Sequence, residues 1–332
     1  MKPHLSFSGA QLLHKCPRKF FLNSTLRKPF FAAAMAQGSG YHTLQELTYT
    51  VPLDEVRQRY QSWCEEVVNR SRQFISEEDM ESLLLAHHKA KALFQAHMTL
   101  VAKGLLKPVT LEVLHSEHRF FIELERSTLR GVIDQIVLIE NTYPELFPDR
   151  DKLLAVVDFK TTSLELETYW GMLVRSHQGP IYLHWAQSEA FKQLFPELHA
   201  QYGYPVGMLF DMIRTPAIRQ KKSETLPEFL QRYEEDVYDK YPSTAERRLF
   251  VPTDENIADS VRAYDYDARI YEMYRTAQHW PKGGDCLRNA DLCEYRLECD
   301  CVTNGSTDLP SKKNLVQIGD TNGIDDSEHE EL

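Results

Sequence analysis

The stretch LLAVVDFKTTS, residues 153–163, runs an apolar, strand-like segment straight into Asp158 and Lys160. In a strand, residues i and i+2 face the same side, so the aspartate and the lysine share one face while Phe159 takes the other. A second carboxylate, Asp134, sits in LRGVIDQIVL, another strand-like run, three residues after Gly131, which permits a bend or a close backbone approach. Two such strands can bring both aspartates to one place. Carboxylates in contact repel unless one holds a proton or a cation lies between them, and hard oxygen ligands suit Mg2+ or Mn2+. A lysine on the same face can then orient or deprotonate an attacking water, or neutralise charge developing on a phosphate. These are the parts needed to hydrolyse a phosphodiester.

Other residues could join that centre. In QGSGYHTLQEL, Gly38, His42 and Glu46 recur every four residues and so share one helix face, which makes His42 a candidate third metal ligand. Gln178 and Tyr182 in SHQGPIYLHW, also four apart, put an amide and a phenol on one helical face, able to contact a phosphate or a base. Of six cysteines, four crowd between Cys286 and Cys301, which is unlike a secreted disulfide framework and points to metal. Cys16, Cys286, Cys293 and Cys299 could together hold a [4Fe-4S] cluster or, alternatively, Zn2+. Cys301 is an alternative ligand, and Cys64, in the helical QSWCEEVV, reads as an ordinary packed thiol.

The elements that must position these groups come in the order helices, strands, helix, strand, helices. The first third is helical: SGAQLLHKCPRKFFLN with a Ser8 cap, a segment near residues 38–50, and amphipathic stretches from Leu53 to Val101. Then VTLEVLH, HRFFIELE, STLRGVIDQIVLIE and LLAVVDFK read as strands, with NTYPELFPDR as the loop between the last two. TYWGMLVRSHQGPIYLHWAQSEAFKQLF follows as a helix interrupted near Gly179-Pro180, then the strand PVGMLFDMI and two charged helical segments reaching Trp280. From Val302 the chain is polar, acidic and poor in aromatics, which predicts a disordered tail over residues 302–332.

With 332 residues, 42% hydrophobic and 11% aromatic, the chain can bury a large core. Its apolar runs fall short of the roughly 20 residues a bilayer span needs, and MKPHLSFSGA lacks the plan of a signal peptide, so a cytoplasmic protein without a membrane partner is expected. A net charge of -11 excludes coating nucleic acid through bulk electrostatics but leaves room for a local basic groove. Lys15, Arg18, Lys19, Arg27 and Lys28, or Arg214, Arg219, Lys221 and Lys222, could line one.

Taken in order, LSFSGAQLLHKCPRKFFL, GSGYH, GVID, VVDFKTT and the Gln178/Tyr182 pair resemble five motifs of the PD-(D/E)xK nuclease superfamily, in its RecB-like branch of AddB-type, CRISPR-adaptation and phage exonuclease-like proteins. The resemblance covers most of residues 5–301. It implies an α/β fold with a restriction-endonuclease-like mixed central sheet flanked by helices, in one domain over residues 1–301. That domain would carry a helical insertion at about 50–105 and a cysteine-rich clamp at 282–301 joined to Cys16. It further implies that His42, Asp134 and Asp158 bind Mg2+ or Mn2+, that Lys160 positions the attacking water, and that Gln178 and Tyr182 hold DNA. Glu117 matches a less regular acidic position. One N-terminal and three C-terminal cysteines match the branch's iron-sulfur members, although six residues separate Cys286 from Cys293, with Asn289 where many members carry a close second cysteine. The expected activity is that of a metal-dependent deoxyribonuclease, an exonuclease of DNA repair, recombination or mobile-element processing, working as a homo-oligomer or with a helicase or recombination partner. The rival expectation is a catalytically silent DNA-binding subunit that keeps the fold and cluster.

Overall fold

The computed structural model describes residues 4–27, 33–72, 75–283, 295, 299 and 316–317. In chain order these form β1 (His4–Leu5), α1 (Phe7–Lys15), α2 (Pro17–Thr25), β2 (Leu26–Arg27), α3 (Ala33–Thr50), α4 (Leu53–Ser71), α5 (Glu77–Ala102), β3 (Thr110–Glu123), β4 (Thr128–Glu140) and β5 (Lys152–Thr162). There follow α6 (Leu166–Leu173), α7 (Gln178–Ala186), α8 (Glu189–Leu194), α9 (Pro196–Tyr202), β6 (Met208–Arg214), α10 (Leu226–Asp239), β7 (Ala245–Phe250), α11 (Asp254–Ala277) and β8 (Val316–Gln317). The chain divides into two compact units, one of Phe31–Ile122 and Arg130–Arg262, the other of Met1–Phe30, Glu123–Leu129 and Ala263–Leu332.

The larger unit is built on a mixed sheet in which β3 pairs with β4 and the order continues β4-β5-β6-β7. β4 and β5 run antiparallel with Ile136 opposite Val156, β5 and β6 run parallel with Lys160 opposite Met212, and β6 and β7 run antiparallel with Asp211 opposite Arg247. Strand β5 is apolar without a break from Leu153 to Val157 because helices cover both faces of the sheet. Its odd residues Leu153, Ala155, Val157 and Phe159 join one core with residues of α3, α5 and α10, whereas Leu154 and Val156 join a second core with α6, α7 and α8. The result is an α/β fold of helices on a mixed sheet. Among the described residues no helix is long and apolar enough to cross a membrane.

Helix ends follow from local chemistry. Ser76 caps α5 by accepting the Asp79 N–H at 3.1 Å, and Glu77, Glu78 and Asp79 place negative charge in the first turn. Thr225 and Glu228 close a capping box on α10. Three expectations are corrected. The cap of α1 is Ser6, whose Oγ accepts from Gly9 N at 3.1 Å, not Ser8. The break in the helical run lies at residues 174–177; Gly179 and Pro180 sit in the first turn of α7, where proline's missing N–H has no helical partner to lose. Strand β7, AERRLF, is an addition to the expected order; its charges read as helical surface, but Arg247 is a buried partner of Asp211.

In the smaller unit, β1 pairs in parallel with the start of β4, His4 opposite Thr128. Phe20, Phe21, Tyr271 and Tyr274 pack round Trp280, whose carbonyl accepts from Arg18 Nε at 2.8 Å. Of the tail, only Val316–Gln317 is described, paired antiparallel with β2. The expected disorder of its remainder, and Cys286, Cys293 and Cys301, lie outside the described residues.

Candidate active site

Alternation and register place the two aspartates. Gln135 lies opposite Val157, so continuing the antiparallel register sets Asp134 opposite Asp158, on the sheet face that holds Leu154 and Val156. Lys160, two residues on, shares that face, and its Nζ stands 2.6 Å from Asp158 Oδ2. Asp158 Oδ2 is buried, and the Lys160 ammonium is the cation that faces it. Asp134 Oδ2 accepts the Phe159 N–H at 2.7 Å.

Helix α3 brings His42 in from the side. A Cβ on Gly38 would stand 3.2 Å from Thr161 Oγ1, so glycine lets the helix pass close to the end of β5. One turn later His42 Nδ1 lies 3.5 Å from Asp134 Oδ2. From α7, Tyr182 packs edge-on to Phe120 with centroids 5.1 Å apart and is hydrogen-bonded by Gln178. Gly131 makes room here, because a Cβ on it would fall 2.5 Å from the Phe120 ring and 3.2 Å from that of Tyr182.

Electrostatics single the cluster out. Burial, reinforced by Asp158, pushes the Asp134 carboxyl well above the usual carboxylate range. Burial would lower the Lys160 ammonium, but Asp158 and Asp134 outweigh it and the pKa rises. His42 is lowered by burial and then by Lys160, against the pull of Asp158. Burial and Asp158 push the Tyr182 phenol up to about 12, and burial raises Tyr169 on α6, which also feels Lys160. Glu117, in the left-handed region at φ 52° in the middle of β3, is pushed up to about 7 by burial and by Glu46, and its charge reaches Asp134. A non-glycine residue held there costs local strain.

His42, Glu46, Glu117, Asp134, Asp158, Lys160, Gln178 and Tyr182 thus all act on one region of the larger unit. They do not form a finished coordination shell: among the described residues no three His, Cys, Asp or Glu side chains close into a metal-holding group. In the smaller unit, Cys16 Sγ accepts N–H bonds from Lys19 at 3.4 Å and Gly283 at 3.3 Å, and Arg18 Nη1 lies 4.0 Å from Cys299 Sγ. Cys64 packs beside Leu44, Val56 and Tyr60. Arg214 pairs with Glu165 at 2.8 Å.

Sequence reasoning missed two features. Tyr169 carries no local signal. The buried set of His97, Asp211 and Arg247 had one, since Asp211 interrupts the apolar MLFDMI and a buried carboxylate needs partners.

The chain matches the family model of the PD-(D/E)XK nuclease superfamily over residues 4–300, and it belongs to that superfamily. Among solved structures it is similar to a Eubacterium rectale protein bearing an assigned exonuclease name, at 14% identity and a TM-score of 0.40, with 97% of this chain and 94% of that one covered. It is also similar to a phage-related exonuclease from Haemophilus somnus 129PT, at 13% identity and a TM-score of 0.27, covering 72% of this chain and 95% of that one. No curated protein matches it.

Proposed function

We propose that the protein is a divalent-metal-dependent deoxyribonuclease of the RecB-like branch, acting as an exonuclease on DNA, with Asp134, Asp158 and Lys160 at its catalytic centre. One observation carries the reading: two largely buried carboxylates and a lysine meet at one place, the Lys160 ammonium 2.6 Å from Asp158 Oδ2 and the Asp134 carboxyl, held well above the usual range, beside them. Such a pair accepts a cation, and the donor set of two carboxylates with a neutral imidazole from His42 fits Mg2+ or Mn2+.

When bound there, the ion would supply positive charge to the phosphate undergoing cleavage. The remaining roles belong to the chain. Lys160, its pKa raised, stays protonated and donates hydrogen bonds that orient the attacking water and offset charge on the phosphate. Tyr182 keeps its proton and, with Gln178, donates to the DNA backbone. Glu117 titrates near neutrality beside Asp134 and is the acid suited to exchange a proton with solvent. In the other unit, the proposal extends to a [4Fe-4S] cluster on Cys16, Cys286, Cys293 and Cys299, with Zn2+ as the alternative; Cys16 Sγ there accepts N–H bonds from Lys19 and Gly283.

The test incubates purified protein with end-labelled linear DNA and with closed circular DNA, with Mg2+, Mn2+ or chelator. Linear DNA should be degraded only with metal, and Asp158→Asn or Lys160→Met should slow this at least about 100-fold with unchanged circular dichroism. DNA binding without cleavage in any metal would overturn the proposal in favour of a silent binding subunit.

A further inference from the structure

Away from the carboxylates, helices α4 and α5 leave a cavity of about 460 Å³ between them. Its walls are regular stripes, Tyr60, Cys64 and Val68 on α4 and Leu84, His87 and Lys91 on α5, with Leu44 of α3 added. Its size is that of a small-molecule site rather than a packing defect. The nuclease reading uses none of these residues.

Two features point to a particular occupant. His87 is 4% exposed, yet neither ring nitrogen has a hydrogen-bond partner among the described residues. Its backbone carbonyl is satisfied by the Tyr60 hydroxyl at 3.0 Å, and the Trp63 ring lies 5.3 Å away. Burial, with His88, brings the imidazole down to about 4, so near neutral pH it offers one N–H donor and one acceptor. Buried polar atoms are seldom left unpaired, and among the described residues nothing pairs these.

The second feature is polarity along the cavity. Residues 72–76 alone join α4 to α5, which makes the pair an antiparallel hairpin. With Tyr60 beside His87, Arg57, about one turn back along α4, comes level with Lys91, about one turn on along α5. Neither cation has an ion-pair partner among the described residues, and Glu65 of the wall is engaged by Gln61 at 3.0 Å. The cavity is thus mainly apolar, with Arg57 and Lys91 towards one end, Val68, Leu84 and the charged Glu65 towards the other, and an unpaired imidazole between.

We propose that this cavity binds an amphiphilic carboxylate, its aliphatic or aromatic body against Leu44, Val68 and Leu84 and its head within reach of Arg57, Lys91 and the His87 N–H. An apolar helix of a protein partner would cover the leucines but leave His87 unpaired and bring no anion.

Titration of the full chain with dodecanoate, dodecanol and dodecylamine below micelle-forming concentrations, followed by calorimetry, tests this. Dodecanoate should bind saturably at one site and at least tenfold more tightly than dodecylamine. Leu84→Trp, at a position 43% exposed and so tolerant of bulk, should abolish binding by filling the space. Arg57→Glu should weaken it at least tenfold, both variants keeping the wild-type circular dichroism. Absence of saturable binding, equal binding of the amine, or indifference to both substitutions would overturn the proposal. So would a dimer that Leu84→Glu returns to monomer, because the face would then belong to a protein.

Discussion

Asp211→Asn tests the account of what holds the sheet and its helical cover together. Asp211 is 1% exposed; one oxygen lies 2.9 Å from His97 Nε2 and the other 2.8 Å from Arg247 Nε. Arg247 also donates to the Pro108 carbonyl and to Thr110, and His97 Nδ1 faces Gln45, which bonds the Tyr41 hydroxyl. Burial alone would raise the Asp211 carboxyl, but Arg247 and then His97 outweigh it and hold it at about 2, against an ordinary 3.8. That lowering corresponds to about 2 kcal/mol of stability at neutral pH. Asparagine keeps the shape but leaves the Arg247 guanidinium buried without its counter-charge, which typically costs about 3–5 kcal/mol.

The sign follows from the depressed pKa. The Asp211 contribution is complete above 3.8 and is lost as pH falls towards 2, with about 1 kcal/mol gone by pH 3. Urea unfolding followed by the fluorescence of the four tryptophans should therefore show the variant about 3–5 kcal/mol less stable at pH 7 and the gap narrower by about 1 kcal/mol at pH 3. A gap below about 1 kcal/mol at pH 7, or one that does not change with pH, would refute the reasoning.

Glu117→Gln acts in the opposite sense. A carboxyl raised to about 7 destabilises the fold as pH climbs from 4.5 to 7, so the amide should raise the melting temperature at pH 8 and leave it unchanged at pH 4. Gly131→Ala drives a methyl into the Phe120 ring and should cost about 1–3 kcal/mol in chemical denaturation while lowering DNA cleavage through Tyr182; Phe120→Leu on the same background should restore part of both. Gly283→Ala would collide with the Lys15 carbonyl oxygen and crowd Cys16, so if the cysteines hold a cluster, iron content and absorbance near 400 nm should fall together in the purified variant.

What could be read in advance follows how locally each feature is encoded. Asp158 and Lys160 share a face because strands alternate, and Gln178 and Tyr182 share one because helices turn; both periods are written into neighbouring residues. The meeting of Asp134 with Asp158 needs only the antiparallel register of two apolar strands, which their hydrophobic pattern specifies strongly. Strand β7 is different. Arg247 completes the buried partners of Asp211, 36 residues away inside the apolar run of β6, and no window around AERRLF contains that fact. Glu117 is harder still. HSEHR has none of the glycine or asparagine that usually marks a left-handed residue, yet Glu117 takes φ 52° there, and its carboxylate feels Glu46 and bears on Asp134. Strain at a residue whose charge bears on the candidate metal ligands is stability given up for position, the pattern expected where a site and its fold make competing demands.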